Sequence, residues 1–182
     1  IALTNTGTIT GSYGLTLDGA AGGSIASIIG TSTGTLTKLG TGTWSLTGAN
    51  SYTGTTTISA GTLEVGSLTN TLAKLGTGAI TDNGNLVFYR SNGLTLSAMA
   101  PNAGAITGTG NVTLQATGAI SIDRNISLTG LSSAIYLEAG ATSAANTSLV
   151  SDVTFGSTNT ISTTNTGTIA ILAGSPVPAT SP

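Results

Sequence analysis

Apolar residues alternate with small or polar residues in short segments spread along the whole chain. In each segment one apolar residue stands before and one after a small or polar residue. The segments are 15–17, 44–46, 63–65, 94–96, 112–114, 120–122, 126–128, 135–137 and 169–171. This period of two is typical of a strand with one buried face. Gly, Asn or Asp stands between the segments, and these residues favour turns. The pattern predicts strands of three to five residues, each followed by a tight corner.

Helical signals are nearly absent, because no window keeps the apolar spacing of an amphipathic helix and glycine interrupts the chain throughout. One segment favours a competing architecture. Asn92-Gly93 lies between the apolar runs 86–89 and 94–96, which is a strong signal for a β-hairpin and, taken alone, would predict an antiparallel sandwich. We interpret the dipeptide as a solenoid corner, because the same two residues suit both turns.

Two exact echoes in the sequence predict a repeating architecture. Lys-Leu-Gly-Thr-Gly at 38–42 returns at 74–78, and Thr-Asn-Thr-Gly-Thr-Ile at 4–9 returns at 164–169. The apolar triplets recur at about 16 to 23 residues, a length that suits one coil of a β-solenoid. The echo near the two ends predicts one period of a longer fibre.

Composition strengthens the prediction of stacked coils. Thr supplies 37 of the 182 positions, and only 5% of residues are charged, whereas about 25% is usual. A single coil cannot bury its apolar face, but stacked coils share a narrow core and repeat like residues in files about 4.8 Å apart. Charges repeated at that spacing would repel one another. The sequence therefore predicts an all-β parallel β-helix with Leu, Ile and Val inside, Thr, Ser and Asn outside, and Gly or Asn at corners that need positive φ.

The same composition excludes several classes of function. The chain has four Lys and Arg, six Asp and Glu, no His and no Cys, for a net charge of −2. Nucleic-acid binding requires a basic patch, which four scattered cations do not make. A His- or Cys-ligated metal, a His base and a thiol nucleophile are excluded by the missing residues. We expect no cofactor and no metal site.

The segment GTGTWSLTGANSYTGTTTISAGTL at 40–63 closely resembles the autotransporter-associated β-strand repeat, also called the passenger-associated transport repeat. Its pattern reads roughly GxGTLxLxGxNxYxGxTxxxxGTL; this chain departs from it at Trp44, where Leu is usual, and at Thr55, where a second Gly is common. A weaker likeness spans 86–110, and 120–126 resembles repeats of filamentous-haemagglutinin-like exoproteins. The resemblance implies a right-handed β-helix of a Gram-negative bacterium, exported through an outer-membrane β-barrel translocator to the cell surface or the medium, by autotransporter or two-partner secretion.

On this basis we expect a β-helix over 1–174, with repeat units near 36–66 and 74–114. The tail 175–182 holds three of the four prolines. Proline cannot donate to a strand ladder, so the tail is predicted to be a linker or connecting strand.

Candidate site residues are few. Trp44 and Tyr52 could stack on a sugar ring, although their places in the repeat pattern favour packing. A polysaccharide hydrolase or lyase needs paired acids, or acids together with a base. The residues of this chain that could fill those roles are Asp82, Asp123, Arg124 and Asp152. Asp123 and Arg124 would face opposite sides of a strand, and no second acid lies near them. We therefore expect no enzymatic activity and interpret Asp123 and Arg124 as a corner cap. Phe88 and Phe155 are predicted to lie in the core.

The favoured function is a non-catalytic structural or adhesive segment of a secreted surface protein, which contacts a host cell, a neighbouring cell or a glycan and self-associates through unpaired strand edges. Two alternatives stay open: polysaccharide binding or cleavage, and ice binding by an array of threonines. The Thr-x-Thr runs cluster in the first 60 residues, whereas an ice-binding array needs one unit per coil in register; the runs are Thr4/Thr6/Thr8/Thr10, Thr31/Thr33/Thr35/Thr37, Thr41/Thr43 and Thr53/Thr55/Thr57.

Overall fold

The computed structural model describes residues 1–101, 104–139, 153–155, 160–163 and 167–173. Its backbone winds as a parallel β-solenoid, and every strand pairing is parallel. The predicted fold class is confirmed. The tail 175–182 and Asp152 lie outside the described residues.

Among the described residues, two sheets, called sheet 1 and sheet 2, form the main sides of the solenoid. Sheet 1 has eight strands, in spatial order β1 (Ala2–Leu3), β4 (Gly23–Ile25), β7 (Thr43–Leu46), β9 (Thr62–Gly66), β11 (Asn85–Arg90), β14 (Asn111–Ala116), β17 (Ala134–Ala139) and β20 (Thr168–Ala173). Sheet 2 has seven strands, in spatial order β3 (Leu15–Leu17), β6 (Leu36–Lys38), β8 (Thr56–Ile58), β10 (Ile80–Asp82), β13 (Ile106–Gly108), β16 (Ile126–Leu128) and β19 (Ile161–Thr163).

A third, interrupted side lies between sheet 1 and sheet 2 in chain order. It contains β2 (Thr8–Thr10) paired with β5 (Ile28–Gly30), and farther along the chain β12 (Leu94–Thr95), β15 (Ile120–Ile122) and β18 (Val153–Phe155). In the middle coils an isolated bridge joins Ala49 to Lys74. A single-turn helix, α1 (Leu96–Met99), follows β12, so the predicted strand 94–96 ends one residue early.

The inward side chains form files in register through the strand pairs. The apolar file of sheet 1 contains Ile25, Leu46, Val65, Phe88, Leu114 and Leu137, all buried. The mixed file of sheet 2 contains Leu17, Lys38, Ile58, Asp82, Gly108 and Leu128. Both files belong to one continuous core, as expected for coils that cannot bury an apolar face alone. The predicted core position of Phe88 is confirmed, whereas the side chain of Phe155 lies outside the description.

Coil lengths are longer and less regular than the triplets suggest. Thr43 pairs with Thr62, nineteen residues on, and Ile80 pairs with Ile106, twenty-six residues on. The bond from Thr160 N–H to Asn125 Oδ1 spans 35 residues. Corners absorb the difference, because the strands alone must stay in register.

The Asn92-Gly93 corner resolves the hairpin question. The strands before and after it, β11 and β12, belong to different sheets, and β11 pairs in parallel with β9 and β14. The hairpin interpretation is therefore wrong.

The two sequence echoes do not mark equivalent places in the coil. Residues 38–42 lead from sheet 2 into sheet 1, whereas 74–78 precede the sheet 2 strand β10. Thr8 and Ile9 lie in β2 on the third side, whereas Thr168 and Ile169 lie in β20 of sheet 1. The echoes reflect shared turn chemistry, and they supply no structural support for a 160-residue period.

Corner chemistry departs from the prediction in one respect. Positive φ falls on glycines such as Gly40 (61°) and Gly61 (66°), and among the described residues Ser32 is the one other case. Asparagines at the first positions of β11 and β14 act through their side chains instead. Asn111 Nδ2 donates to Asn85 Oδ1 at 2.8 Å, and Asn111 Oδ1 accepts from Ala134 N–H at 2.7 Å. These bonds join successive coils without an unusual backbone.

Candidate binding surfaces and interior charges

The repeat segment shows why its pattern residues are needed. Asn50 is buried; its Oδ1 accepts from Ile29 N–H and its Nδ2 donates to Lys74 O, both at 2.8 Å. One amide therefore joins the coil before it to the coil after it. A Cβ on Gly54 would lie 2.4 Å from Gly34 O, so only glycine allows this close stacking. The pattern positions hold coils together.

Tyr52 lies fully inside the solenoid, with 0% of its surface exposed. Its hydroxyl forms a 2.6 Å hydrogen bond with Thr56 Oγ1, and burial raises its pKa to about 12. A phenol held this way is neutral at any ordinary pH, and its ring has no face open to a ligand. Tyr52 supplies core volume together with a satisfied polar group.

Trp44 is also buried, with 7% of its surface exposed. Its Nε1–H donates to Asp18 O at 3.1 Å. Its strand partner in the preceding coil is Gly23, where a Cβ would lie 3.1 Å from the indole ring. The missing side chain of Gly23 makes room for Trp where the repeat usually has Leu. This geometry favours the packing interpretation of Trp44 and Tyr52 over sugar stacking, which stays an untested prediction.

The predicted acids lie in unrelated settings. Asp82 points into the core from β10, and Asp123 lies in the corner after β15, where its carboxylate accepts from Ser97 N–H at 2.8 Å and from Ser97 Oγ–H. Asp123 and Arg124 therefore do not face opposite sides of a strand, because β15 ends at Ile122. The Asp123 carboxylate therefore caps this corner.

Two interior charges of sheet 2 were missed by sequence reasoning. Lys38 is fully buried, and its ammonium donates to Leu39 O, to Gly40 O at 2.8 Å and to Ala60 O at 3.1 Å. Burial lowers the pKa of Lys38, and the nearby carboxylate of Asp18 opposes that shift. The alternation of 36–38 contained the signal, since it puts Lys38 on the same face as the core residue Leu36.

Asp82 is the second interior charge. Its Oδ1 accepts from Gly84 N–H at 3.0 Å, while its Oδ2 is buried with no partner among the described residues. Burial raises its pKa to about 7, although the bonds from Gly84 and Leu86 partly oppose the shift. Lys38 and Asp82 lie two coils apart in the mixed file with Ile58 between them. They do not form a direct pair in register.

The outward face of sheet 2 carries a continuous hydroxyl ladder. We use this name for the middle residues of its strands: Thr16, Thr37, Thr57, Thr81, Thr107, Ser127 and Ser162. These residues are in register and are half-buried or exposed. A second file beside the ladder has Thr35 and Thr55 before β6 and β8 but Ala79 before β10, so the double array is limited to the early coils.

Surface aromatic and acidic groups collect on the outward face of sheet 1. Tyr136 is 45% exposed, and Tyr89 is half-buried two strands away. Burial and the charges of Glu64 and Glu138 raise the pKa of Tyr89, and Gln115 Nε2 donates to Glu138. These residues, rather than Trp44 and Tyr52, are the aromatic and polar groups that a ligand on this face could reach.

None of the four cations is exposed: Lys38 and Arg90 are buried, and Lys74 and Arg124 are half-buried. Arg90 Nη1 donates to Thr71 O, and burial lowers its pKa. No described group of three or more acidic residues is arranged to hold a metal ion. No helix within the described residues is long and apolar enough to cross a membrane.

Fold and surface together define a β-solenoid built from coil-stacking repeats. The family model of the passenger-associated-transport-repeat matches residues 36–65, which confirms the resemblance for that segment. The match runs from β6 to the penultimate residue of β9 and includes Asn50 and Tyr52. Comparisons with curated proteins and with solved structures found no match.

Proposed function

We propose that this chain is a non-catalytic structural and adhesive segment of a secreted passenger protein on a Gram-negative bacterium. The observation that carries the proposal is the repeat at 36–65, whose Asn50 and Gly54 serve coil stacking. Stacked coils need only their neighbours as partners, so a chain that emerges from an outer-membrane β-barrel translocator can fold coil by coil outside.

Secretion tests this proposal directly. The chain would replace the passenger of an autotransporter in a Gram-negative host, and added protease would report surface exposure and folding. We expect a protease-resistant product outside the cell and a protease-sensitive one for Gly54→Val, because Gly54 packs against Gly34 O. Thr113→Val, on the outward face of sheet 1, is the control. Retention of the parent chain in the periplasm would contradict the proposal.

Self-association into fibres is supported by the two ends of the described solenoid. The apolar files reach the outermost strands, where Leu3, Ile169 and Ile171 are 42–47% exposed. Within the described part of the chain, β1 and β20 are the outermost strands of sheet 1, and a strand edge beside apolar side chains favours association. Sedimentation over a range of concentrations should show assemblies that Ile171→Lys weakens and Tyr136→Lys leaves unchanged. A strictly monomeric parent chain would contradict this part of the proposal.

Polysaccharide binding is the first alternative. A glycan array would compare the parent chain with Trp44→Ala and Tyr136→Ala. Loss in Tyr136→Ala alone would place the ligand on the outward face of sheet 1, and loss in Trp44→Ala, with its fold intact by circular dichroism, would favour the original pair. Cleavage of any polysaccharide would contradict the non-catalytic assignment.

Ice binding is the second alternative, and the hydroxyl ladder favours it. Its hydroxyls repeat about 4.8 Å apart along the stack, as a regular surface lattice requires. Thermal hysteresis that is lost in Thr57→Lys and kept in Thr113→Lys would support ice binding by sheet 2. Both threonines are half-buried and outward-facing, so the pair is matched.

A further inference from the structure

Two Asn-Gly dipeptides lie nine residues apart, at 83–84 and 92–93, in very different surroundings. Asparagine followed by glycine is the dipeptide most open to succinimide formation, because glycine has no Cβ to shield the attacking backbone nitrogen. The two sites share the same covalent chemistry, so any difference in their reactivity must come from the fold.

The 83–84 site is held by hydrogen bonds at both reacting groups. Asn83 Oδ1 accepts from Thr109 N–H and from Thr109 Oγ1–H, each at 3.1 Å. Gly84 N–H, the group that would attack, donates to Asp82 Oδ1 at 3.0 Å. Reaction here requires the breakage of two bonds to the neighbouring coil and one bond within the turn.

The 92–93 site has neither restraint. Asn92 and Gly93 are both exposed, and within the part of the chain that the structure describes no hydrogen bond holds the Asn92 amide or Gly93 N–H. A hydrogen bond runs from Gly118 N–H to the main-chain oxygen of Asn92, at 3.3 Å. That bond fixes the coil above without involving the reacting groups.

We propose that Asn92 is a spontaneous deamidation site of the folded protein and that Asn83 is protected. The Gly93 nitrogen loses its proton to solvent and attacks Cγ of Asn92; the new N–Cγ bond closes a succinimide as the Cγ–Nδ2 bond breaks and ammonia leaves. Water then opens the ring at either carbonyl to give aspartate or isoaspartate. The product adds one negative charge to the corner between sheet 1 and the third side.

Peptide mapping of the aged, folded protein tests the proposal. Trypsin cuts after Lys74, Arg90 and Arg124, so the two sites fall in separate peptides, 75–90 and 91–124. Ageing in H₂¹⁸O labels the new carboxyl, and fragmentation distinguishes Asn92 from the other asparagines of its peptide. We expect Asn92 to react roughly tenfold faster than Asn83 or more, because several hydrogen bonds must open at the protected site.

Three controls separate local protection from intrinsic rates. In denaturant both sites should react at similar rates, Gly93→Ala should slow Asn92, and Thr109→Ala should speed up Asn83, since it removes the hydroxyl donor from an exposed side chain. Equal rates at the two sites in the folded protein would overturn the proposal. An Asn92 that stays intact when folded but reacts in denaturant would also overturn it.

Discussion

The apolar file of sheet 1 and the mixed file of sheet 2 cross the same core but are filled differently. The first has an aliphatic or aromatic side chain at each of its six positions, whereas the second admits Lys38 and Asp82 on either side of Ile58. Both charged residues lie at the end of a strand, beside a corner. The long side chain of Lys38 reaches a carbonyl oxygen of its corner, and the short side chain of Asp82 reaches an N–H group. The difference teaches that an inward position in a narrow solenoid need not be apolar if its polar end meets a corner.

The two interior charges differ in how completely the groups of their corners hydrogen-bond to them. Lys38 reaches three carbonyl oxygens, whereas Asp82 receives bonds on one side and leaves Oδ2 without a partner among the described residues. A buried ion costs desolvation energy; three hydrogen bonds offset that cost at Lys38, whereas Oδ2 leaves more of it uncompensated at Asp82. We therefore expect substitutions at the two positions to change stability in opposite directions.

The largest effect is expected in the apolar file, at Phe88→Ala. Phe88 is fully buried between Val65 and Leu114, and a solenoid coil cannot collapse around the cavity without losing register. The free energy of unfolding should fall by about 3–5 kcal/mol. Denaturant unfolding followed by circular dichroism measures it. A loss under about 1 kcal/mol would show that neighbouring coils repack freely, contrary to the fixed files described above.

The next effect is expected at Lys38→Met, which keeps most of the length of the side chain and removes its donors. The carbonyls of Leu39, Gly40 and Ala60 lose their shared partner, so the free energy of unfolding should fall by about 2 kcal/mol. Lys74→Met is the matched control, because it changes the same letter of the repeated pentapeptide at a half-buried position. Equal losses of unfolding free energy in the two variants would show that the bonds from Lys38 to its corner make no special contribution.

A change of opposite sign is expected at Asp82→Asn. The pKa of Asp82 rises from its ordinary 3.8 to about 7 on folding, so the folded protein keeps a proton that the unfolded chain has already lost at intermediate pH. This group's contribution to stability is fully present below about pH 4 and disappears as pH rises through about 7.

The amide that replaces the Asp82 carboxyl cannot ionise, and its oxygen can still accept from Gly84 N–H. The variant should therefore be about 2 kcal/mol more stable than the parent near pH 8, with a smaller difference near pH 4. Urea unfolding of both proteins across this range measures the difference. If the difference were independent of pH, the buried carboxyl would not be responsible.

The alternation along the sequence predicted the stacked coils, because two apolar residues flanking a small one give each strand a single buried face. The interior charges were not predicted, because a charged residue is normally expected at the surface. Lys38 and Asp82 each occupy the third position of a triplet whose first residue, Leu36 or Ile80, is core. Outward Thr and Ser were predicted, and two of the Thr-x-Thr runs contain ladder residues, Thr37 and Thr57. The continuous register through the strands of sheet 2 was not predicted, because it depends on coil lengths that vary along the chain.

The ordering of coils was beyond the reach of the sequence. The pentapeptide at 38–42 and 74–78 has the same letters at two different corners, because a turn's residue preferences depend on local backbone geometry and not on which sheets it joins. Trp44 shows the same limit. Whether its ring is exposed depends on Gly23, a residue twenty-one positions earlier that only the register brings beneath it.

The smallest effect is expected at Thr81→Val, between Ile80 and Asp82 in β10. Valine keeps the β-branched shape that suits a strand, and Thr81 faces outward in the hydroxyl ladder, so the inward file stays intact. The free energy of unfolding should change by less than about 0.5 kcal/mol, as measured by urea unfolding. A loss above about 1 kcal/mol would mean that hydroxyl bonds along the ladder stabilise the stack. Stability would then come from both faces of sheet 2, and the contrast between its inward and outward residues would be weaker than burial alone indicates.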